Sequence, residues 1–465
     1  MDFKDIKAAY FLGIGGIGMS AIARYFNYLG IKVTGYDKTE TPLTKNLVQE
    51  GMDIHYTDDV KFVIGLKLNP PNTLVVITPA IPKDHQEWKY FTEQKFTIQK
   101  RAEVLGIISE AYQTIGVAGT HGKTTTSAMI AHILTQSKLG CNAFLGGISS
   151  NYESNLLIHK RAKELKPAEQ FTVVEADEFD RSFLTLHPKI SVITSTDADH
   201  LDIYGAHSAM QESFLDYANR LVAGGTLLVK HNLDLVKKLK VKHLTYGFDP
   251  GADVFAGNIQ INEAEHIFDL YFDGSFYPEL KLGIPGMHNI ENAVAASAAC
   301  LIAGVTGDEL RKALISFKGV KRRFEYIIKN EKQIFIDDYA HHPEELRAIL
   351  SSVKRMYPRY KLVVAFQPHL FSRTRDFAEG FAETLSMADK LFLLDIYPAR
   401  EQPIEGVSSQ MILDRMISKD KILCSKEELI EYVKMERPRL FLTLGAGDID
   451  ALVQPIKQVL SSNDH

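Results

Sequence analysis

Short apolar runs alternate along this chain with stretches whose apolar residues recur three and four positions apart, with turn residues between them. An uninterrupted apolar run predicts a strand buried on both faces, and the longer period predicts an amphipathic helix. Their alternation predicts parallel sheets covered by helices. The first unit opens with "AAYFLGIGGIGMSAIARYFNYLG", which predicts strand, glycine turn and helix, and continues through "KVTGYD" and "TLVVITPAI" to about residue 108. The second starts with "QTIGVAG" and the helix after Lys123. It runs through the strands "FTVVEAD" and "ISVITST", the helix "SAMQESFLDYANRLV" and the strand "GTLLVK", and closes with the helix "NIENAVAASAACLIAGV". Inside it, residues 250–285 alternate apolar and polar positions around turn signals, which predicts antiparallel strands. After "FKGVKRRFEYI" a third unit carries the strand candidates "QIFIDDYA", "YKLVVAF", "ADKLFLLDIY" and "RLFLTLGAG". The expected class is α/β, in three domains each built on a mainly parallel sheet, with boundaries at residues 1–107, 108–318 and 319–465. That division suits a chain of 465 residues.

Composition narrows the function classes. Apolar residues are 45% and charged residues 24%, which is ordinary globular content. The net charge of −5 provides no basic field for nucleic acid or an anionic membrane. No apolar run is long enough to span a bilayer. The N-terminal lysines Lys4 and Lys7 are offset by Asp2 and Asp5, and the apolar stretch after them is full of glycine, so it predicts a strand and turn rather than a leader. Cys141, Cys300 and Cys424 are far apart and odd in number, which predicts buried free thiols in a reducing, cytoplasmic setting.

Chemistry enters with "VAGTHGKTTTSAMIAHIL". Backbone N–H groups at a helix start attract phosphate, glycines let the backbone approach, and a lysine and a hydroxyl can reach phosphate oxygens and Mg²⁺. Gly122, Lys123 and Thr124 satisfy the core of that pattern. Val117 stands where the spacing G-x-x-x-x-G-K-[ST] wants its first glycine, with Gly116 and Gly119 nearby. Lys123 is expected to be exposed and to contribute little to the core. Two acidic clusters, Glu175, Asp177, Glu178 and Asp180, then Asp197, Asp199, His200 and Asp202, follow the carboxyl ends of predicted strands, where open sheets bind ligands. They point to a site for Mg²⁺ or Mn²⁺ beside a triphosphate. The central domain is therefore expected to be a P-loop ATPase, flanked by Rossmann-like first and third domains. Gly13, Gly15 and Gly18 spell G-x-G-x-x-G, with Asp37 after the next strand. That turn recognises a pyrophosphate, either of NAD or of another nucleotide diphosphate.

The motifs "GIGGIGMSAIAR", "GTHGKTTT", "EADEFDRSFL", "DADHLDIYG", "GMHNIENA", "KRRFE", "DDYAHHP", "FQPHLFSRTRD", "DIYPAREQP" and "TLGAGDI" occur in an order that resembles the Mur ligase family over nearly the whole chain. The forms "DHLDIYG" and "DDYAHHP" resemble the member that adds alanine to UDP-N-acetylmuramate more than members adding later residues. The resemblance implies ATP-dependent amide-bond formation in peptidoglycan precursor synthesis, with UDP-N-acetylmuramate and L-alanine as substrates. It implies neither nucleic-acid nor membrane partners, and a monomer or weak homodimer. By motif, Gly13, Gly15, Gly16, Gly18, Met19 and Ser20 would hold the UDP substrate. Gly119, Thr120, His121, Gly122, Lys123, Thr124 and Thr125 would hold ATP phosphates, with Asn289 and Asn292 facing adenine, Arg323 the γ-phosphate and Asp338 the ribose. Thr124, Glu175 and His200 would be metal ligands. Tyr339, His341 and Arg373 would form the alanine pocket, and Lys123, Arg323 and His341 the catalytic set.

Two departures stand out. Several family members carry a carbamylated lysine in the helix after "DHLD", but residues 201–220 contain no lysine, and Glu212 is the carboxylate at hand. Where many alanine-adding members have a basic residue, this chain has Leu370, which leaves Arg373 and Arg375 for carboxylate recognition. The alternatives are a recycling ligase that attaches a peptide and, more distantly, an NAD-dependent oxidoreductase.

Overall fold

The computed structural model describes residues 5–197, 204, 207–261, 266–399, 401–418 and 420–462. It contains three sheets. The first comprises β1 (Ala8–Leu12), β2 (Lys32–Tyr36), β3 (Asp53–His55), β4 (Thr73–Ile77) and β5 (Thr97–Lys100), in the order β3-β2-β1-β4-β5, all parallel. Successive β1 residues face opposite sides. Ala9 and Phe11 enter one core, and Tyr10 and Leu12 the other. Covering both faces explains why the run is apolar throughout.

The second sheet has ten strands: β6 (Gln113–Ala118), β7 (Asn142–Ser149), β8 (Ser154–Leu157), β9 (Phe171–Glu175), β10 (Ile190–Ile193), β11 (Thr226–Lys230), β12 (His243–Gly247), β13 (Val254–Ile261), β14 (His266–Phe272) and β15 (Ser275–Leu282). Their order is β15-β14-β13-β12-β11-β10-β6-β9-β7-β8. The strands from β13 to β7 along this order pair in parallel, and β8 joins β7 antiparallel. Asp273 (φ 50°) and Gly274 (φ 70°) form the two-residue connection between β14 and β15, the left-handed pair that a tight antiparallel hairpin uses. The alternating pattern of residues 250–285 predicts this hairpin.

The third sheet contains β16 (Glu325–Lys329), β17 (Ile334–Asp338), β18 (Leu362–Phe366), β19 (Lys390–Leu393), β20 (Lys421–Leu423) and β21 (Leu440–Leu444), in the order β16-β17-β21-β18-β19-β20. Only the β16–β17 pair is antiparallel.

The helices that bear on the site are α1 (Ile17–Tyr28), α2 (Arg101–Glu110), α3 (Lys123–Gln136), α4 (Met287–Ala303), α5 (Pro343–Met356) and α6 (Phe371–Leu385). The chain forms two compact units. One is Met1–Gly257 with Asp269–Leu280 and Glu291–Ser316. The other is Asn258–Phe268 with Lys281–Ile290 and Phe317–His465. In the first unit the helices of the first two sheets share a core, in which Ile22 and Tyr25 of α1 join Phe144 and Leu156 of the second sheet. Among the described residues no helix is long and apolar enough to cross a membrane. All three cysteines are free and buried, and burial raises the Cys141 thiol to about 12 and the Cys424 thiol to about 11.

Candidate active site

The phosphate loop joins β6 to α3, as expected. Gly119 has φ +132°, and a Cβ there would stand 2.1 Å from Thr194 Oγ1, so only glycine fits. Gly122 (φ +82°) caps α3 and lies against Asn292, whose Oδ1 would be 2.7 Å from an added Cβ. The loop is fastened to the end of β10. Thr120 Oγ1 and Ser195 Oγ are 2.8 Å apart, the His121 N–H donates to Ser195 Oγ at 2.7 Å, and the Thr194 hydroxyl donates to the His121 carbonyl. Thr194 and Ser195 carry no motif of their own, so the sequence does not announce them. Thr125 is buried in the loop's helix.

Lys123 differs from expectation. Its side chain is only 14% exposed, donates to the Gly119 carbonyl at 2.6 Å, and lies 2.8 Å from Glu178, itself 1% exposed. The lysine is held in the wall of the site rather than projecting into solvent. Burial opposes its charge, but the Glu178, Glu175 and Asp177 carboxylates outweigh burial and raise its pKa. Burial likewise pushes the Glu178 carboxyl up while Lys123 draws it down.

The Thr124 hydroxyl donates to Glu175 Oε1 at 3.0 Å, and the Gly146 N–H donates to Glu175 Oε2 at 3.0 Å. Two hard oxygen donors thus converge at the helix start, a donor set that suits Mg²⁺ beside phosphate. His200, Asp199 and Asp202 lie outside the described residues. Among the described residues no group of three His, Cys, Asp or Glu side chains gathers as a self-sufficient metal cage. Glu212, the carboxylate at hand in place of the carbamylated lysine, is exposed.

The glycine turn follows β1. Gly13 (φ +87°) and Ile14 donate to the Tyr36 carbonyl, and the Gly15 N–H donates to Asp37 Oδ2 at 2.8 Å. The Asp37 carboxylate therefore helps close the turn. Gly16 is the N-cap of α1, without a side-chain cap. Met19 and Ser20 are buried, and the Ser20 hydroxyl donates to the Ile17 carbonyl and accepts from Asn155 Nδ2.

In the second unit, the Asp338 carboxylate accepts the Phe324 and Ala340 N–H groups at 2.6 and 2.7 Å, and burial, opposed by Arg323, raises it to about 6. The Tyr339 ring lies beneath both Arg322 and Arg323, at 5.1 and 5.2 Å. Arg323 and His341 both meet Glu345, at 3.7 and 3.1 Å. His342 is the N-cap of α5, its Nδ1 accepting from the Glu344 N–H, so this neighbour of His341 has a structural role. Arg373 is buried in the first turn of α6, and Leu370, at its N-cap, has φ +69°. Asn289 is buried and donates to the Pro285 carbonyl. The phosphate-loop residues, Glu175 and Asn292 belong to the first unit; Asn289, Arg323, Asp338, Tyr339, His341 and Arg373 belong to the second.

Three family models match in succession: Mur ligase family, catalytic domain, over residues 8–113; Mur ligase middle domain over 117–300; and Mur ligase, glutamate ligase domain, over 322–447. The UDP-N-acetylmuramate–L-alanine ligase of Flavobacterium johnsoniae is 47% identical over 100% of both chains. The ligase of the same name from Parabacteroides distasonis is 49% identical over 99% of this chain and 98% of its own. Among solved structures, the UDP-N-acetylmuramate–alanine ligase of Thermotoga maritima superposes with a TM-score of 0.81 at 28% identity, covering 97% of this chain and 98% of that one. A murein peptide ligase from Psychrobacter arcticus shares the fold, with a TM-score of 0.71 at 20% identity, over 99% and 100% of the two chains. Phosphate loop, acidic strand end and glycine turn thus occur together in a chain matched from end to end, and this chain belongs to the Mur ligase family.

Proposed function

We infer that the protein joins L-alanine to the carboxylate of UDP-N-acetylmuramate at the expense of ATP, releasing ADP and phosphate, in peptidoglycan precursor synthesis. The observation that carries this reading is the full-length likeness, at nearly half identity, to ligases of that name. In it, residues 1–107 hold the UDP substrate, 108–318 hold ATP, and 319–465 face the amino acid. The setting is cytoplasmic.

A carboxylate and an amine do not condense in water unaided. The muramyl carboxylate attacks the γ-phosphate, forming an acyl phosphate and ADP. The alanine amine then attacks the acyl carbon, and phosphate leaves. Carboxylate and triphosphate repel each other, so the chain's task is charge neutralisation and in-line placement. Lys123 supplies one fixed positive charge and Arg323 a second. The Thr124 hydroxyl and the Glu175 carboxylate, with His200, would hold Mg²⁺, which neutralises phosphate charge when bound. Arg373 pairs with the alanine carboxylate, with Tyr339 and His341 beside it.

The test is mass spectrometry of products from ATP, UDP-N-acetylmuramate, and a pool of amino acids and peptides. Alanyl product with stoichiometric ADP is expected. A peptide adduct without an alanine adduct would indicate the recycling activity instead.

A further inference from the structure

One guanidinium joins the glycine turn to the acidic strand end. Arg101 opens α2, directly after β5. Its Nη2 donates to Asp177 Oδ2 at 3.0 Å, two residues beyond Glu175. Its Nη1 would stand 2.7 Å from a Cβ built on Gly18, in the first turn of α1. A side chain at the third glycine of G-x-G-x-x-G would therefore displace the Arg101 guanidinium from its place beside the turn.

This placement sets a cation beside the positive end of a helix dipole, an arrangement that favours an anion in contact with both. The first turn of α1 has no acidic residue, and its N-cap Gly16 has no side-chain cap. The turn's own carboxylate, Asp37, already accepts the Gly15 and Thr39 N–H groups. Asp177 engages one edge of the Arg101 fork, leaving the edge toward Gly18 to meet a second anion in the paired geometry that suits phosphate.

We propose that Arg101 binds the diphosphate of the UDP-sugar, with Asp177 fixing the direction of its guanidinium. The proposal rests on the reading of the first domain as the UDP-substrate site. The substrate's other anion, the lactyl carboxylate, must reach the triphosphate at Lys123, whereas Nη1 lies against the glycine turn. Arg101 therefore serves the diphosphate.

The test is calorimetric titration of the full-length protein with UDP, UDP-N-acetylglucosamine and UDP-N-acetylmuramate. The first two share the diphosphate and lack the carboxylate. In R101A all three affinities should fall together, roughly 10- to 100-fold, as for loss of a charged hydrogen bond. KM for ATP should change less than about twofold, and kcat far less than kcat/KM for UDP-N-acetylmuramate. R101K keeps the charge and loses the fork, so it should fall between wild type and R101A, and it decides the matter if R101A does not fold. Unchanged UDP affinity in R101A, or in R101K where R101A does not fold, overturns the proposal. So does a loss confined to UDP-N-acetylmuramate, which would assign Arg101 to the carboxylate. A wild-type protein that binds none of the three overturns the UDP-substrate reading itself, and this proposal with it.

Discussion

Lys123 Nζ lies 2.8 Å from a Glu178 carboxylate oxygen, and the glutamate is 1% exposed. Removing one half of a buried ion pair strands the other in low dielectric, at a cost of about 3–5 kcal/mol. Lys123→Ala is therefore expected to abolish ligation and also to lower Tm. The double variant K123A/E178Q should recover most of the stability and none of the turnover. Thermal denaturation alongside ADP release checks both, and an unchanged Tm in K123A would mean the pair contributes nothing to the fold.

Thr124 and Glu175 share a hydrogen bond at the helix start. Thr124→Val and Glu175→Gln each remove an oxygen donor suited to a divalent cation. Each variant should need at least about tenfold more Mg²⁺ for half-maximal activity. A titration of activity against Mg²⁺ at fixed ATP measures it, with binding of UDP-N-acetylmuramate expected to stay as in wild type.

Glycine positions separate cleanly by what surrounds them. Gly119→Ala would drive a Cβ to 2.1 Å from Thr194 Oγ1 and 2.8 Å from the Ser195 backbone nitrogen, at φ +132°. It should destabilise by several kcal/mol, or about 2–3 at the least, and lose ATP binding. Gly65, at the end of the short helix Val60–Gly65, has open space around it and no positive φ. Gly65→Ala should leave the unfolding free energy unchanged or raise it slightly, by about 0.4–1 kcal/mol. Chemical denaturation of the two variants tests the contrast.

Glu87 is fully buried, accepting from the Tyr10 hydroxyl at 2.7 Å, with His55 Nε2 at 3.2 Å and Asp58 and Asp59 nearby. Burial raises its pKa from 4.5 to about 7. The folded protein thus keeps a proton that the unfolded chain releases. The stability this contributes is complete below pH 4.5, declines between 4.5 and 7, and is absent above 7. His55 and His85 are lowered by burial and act in the opposite direction, so the wild type alone mixes the effects. The Tm of wild type minus that of Glu87→Gln isolates the glutamate, and this difference should fall as pH rises from about 5 to 8.

Arg373 is buried at the start of α6, whereas Arg375 is exposed and pairs with Asp376 at 2.7 Å. Arg373→Ala should raise the KM for alanine roughly 10- to 150-fold, the equivalent of a charged hydrogen bond, and that for ATP far less. Steady-state kinetics with each substrate varied decides it. Equal effects on both would place Arg373 with the phosphates, and an effect seen only in Arg375→Ala would shift the role two residues along.

Features that depend on neighbours along the chain are legible in the order of residues. The central strands show as apolar runs because both faces are covered, as Ala9, Tyr10, Phe11 and Leu12 of β1 illustrate. The phosphate loop and the glycine turn show as spacings because left-handed backbone and helix N–H groups are local requirements. Strands such as β3 "DIH", β5 "TIQK" and β20 "KIL" were not legible, being too short and polar to make an apolar run. The partnerships emerge only on folding: Lys123 with Glu178, Asp37 with Gly15, Thr194 and Ser195 with the loop, and Arg101 with Gly18 and Asp177. Each joins residues from separate elements, brought together by sheet order rather than by spacing along the chain. An acidic residue after a strand reads the same whether it faces solvent, a metal or a buried lysine. Only the packing of β6 between β9 and β10 set Glu178 within reach of Lys123 and left it buried there.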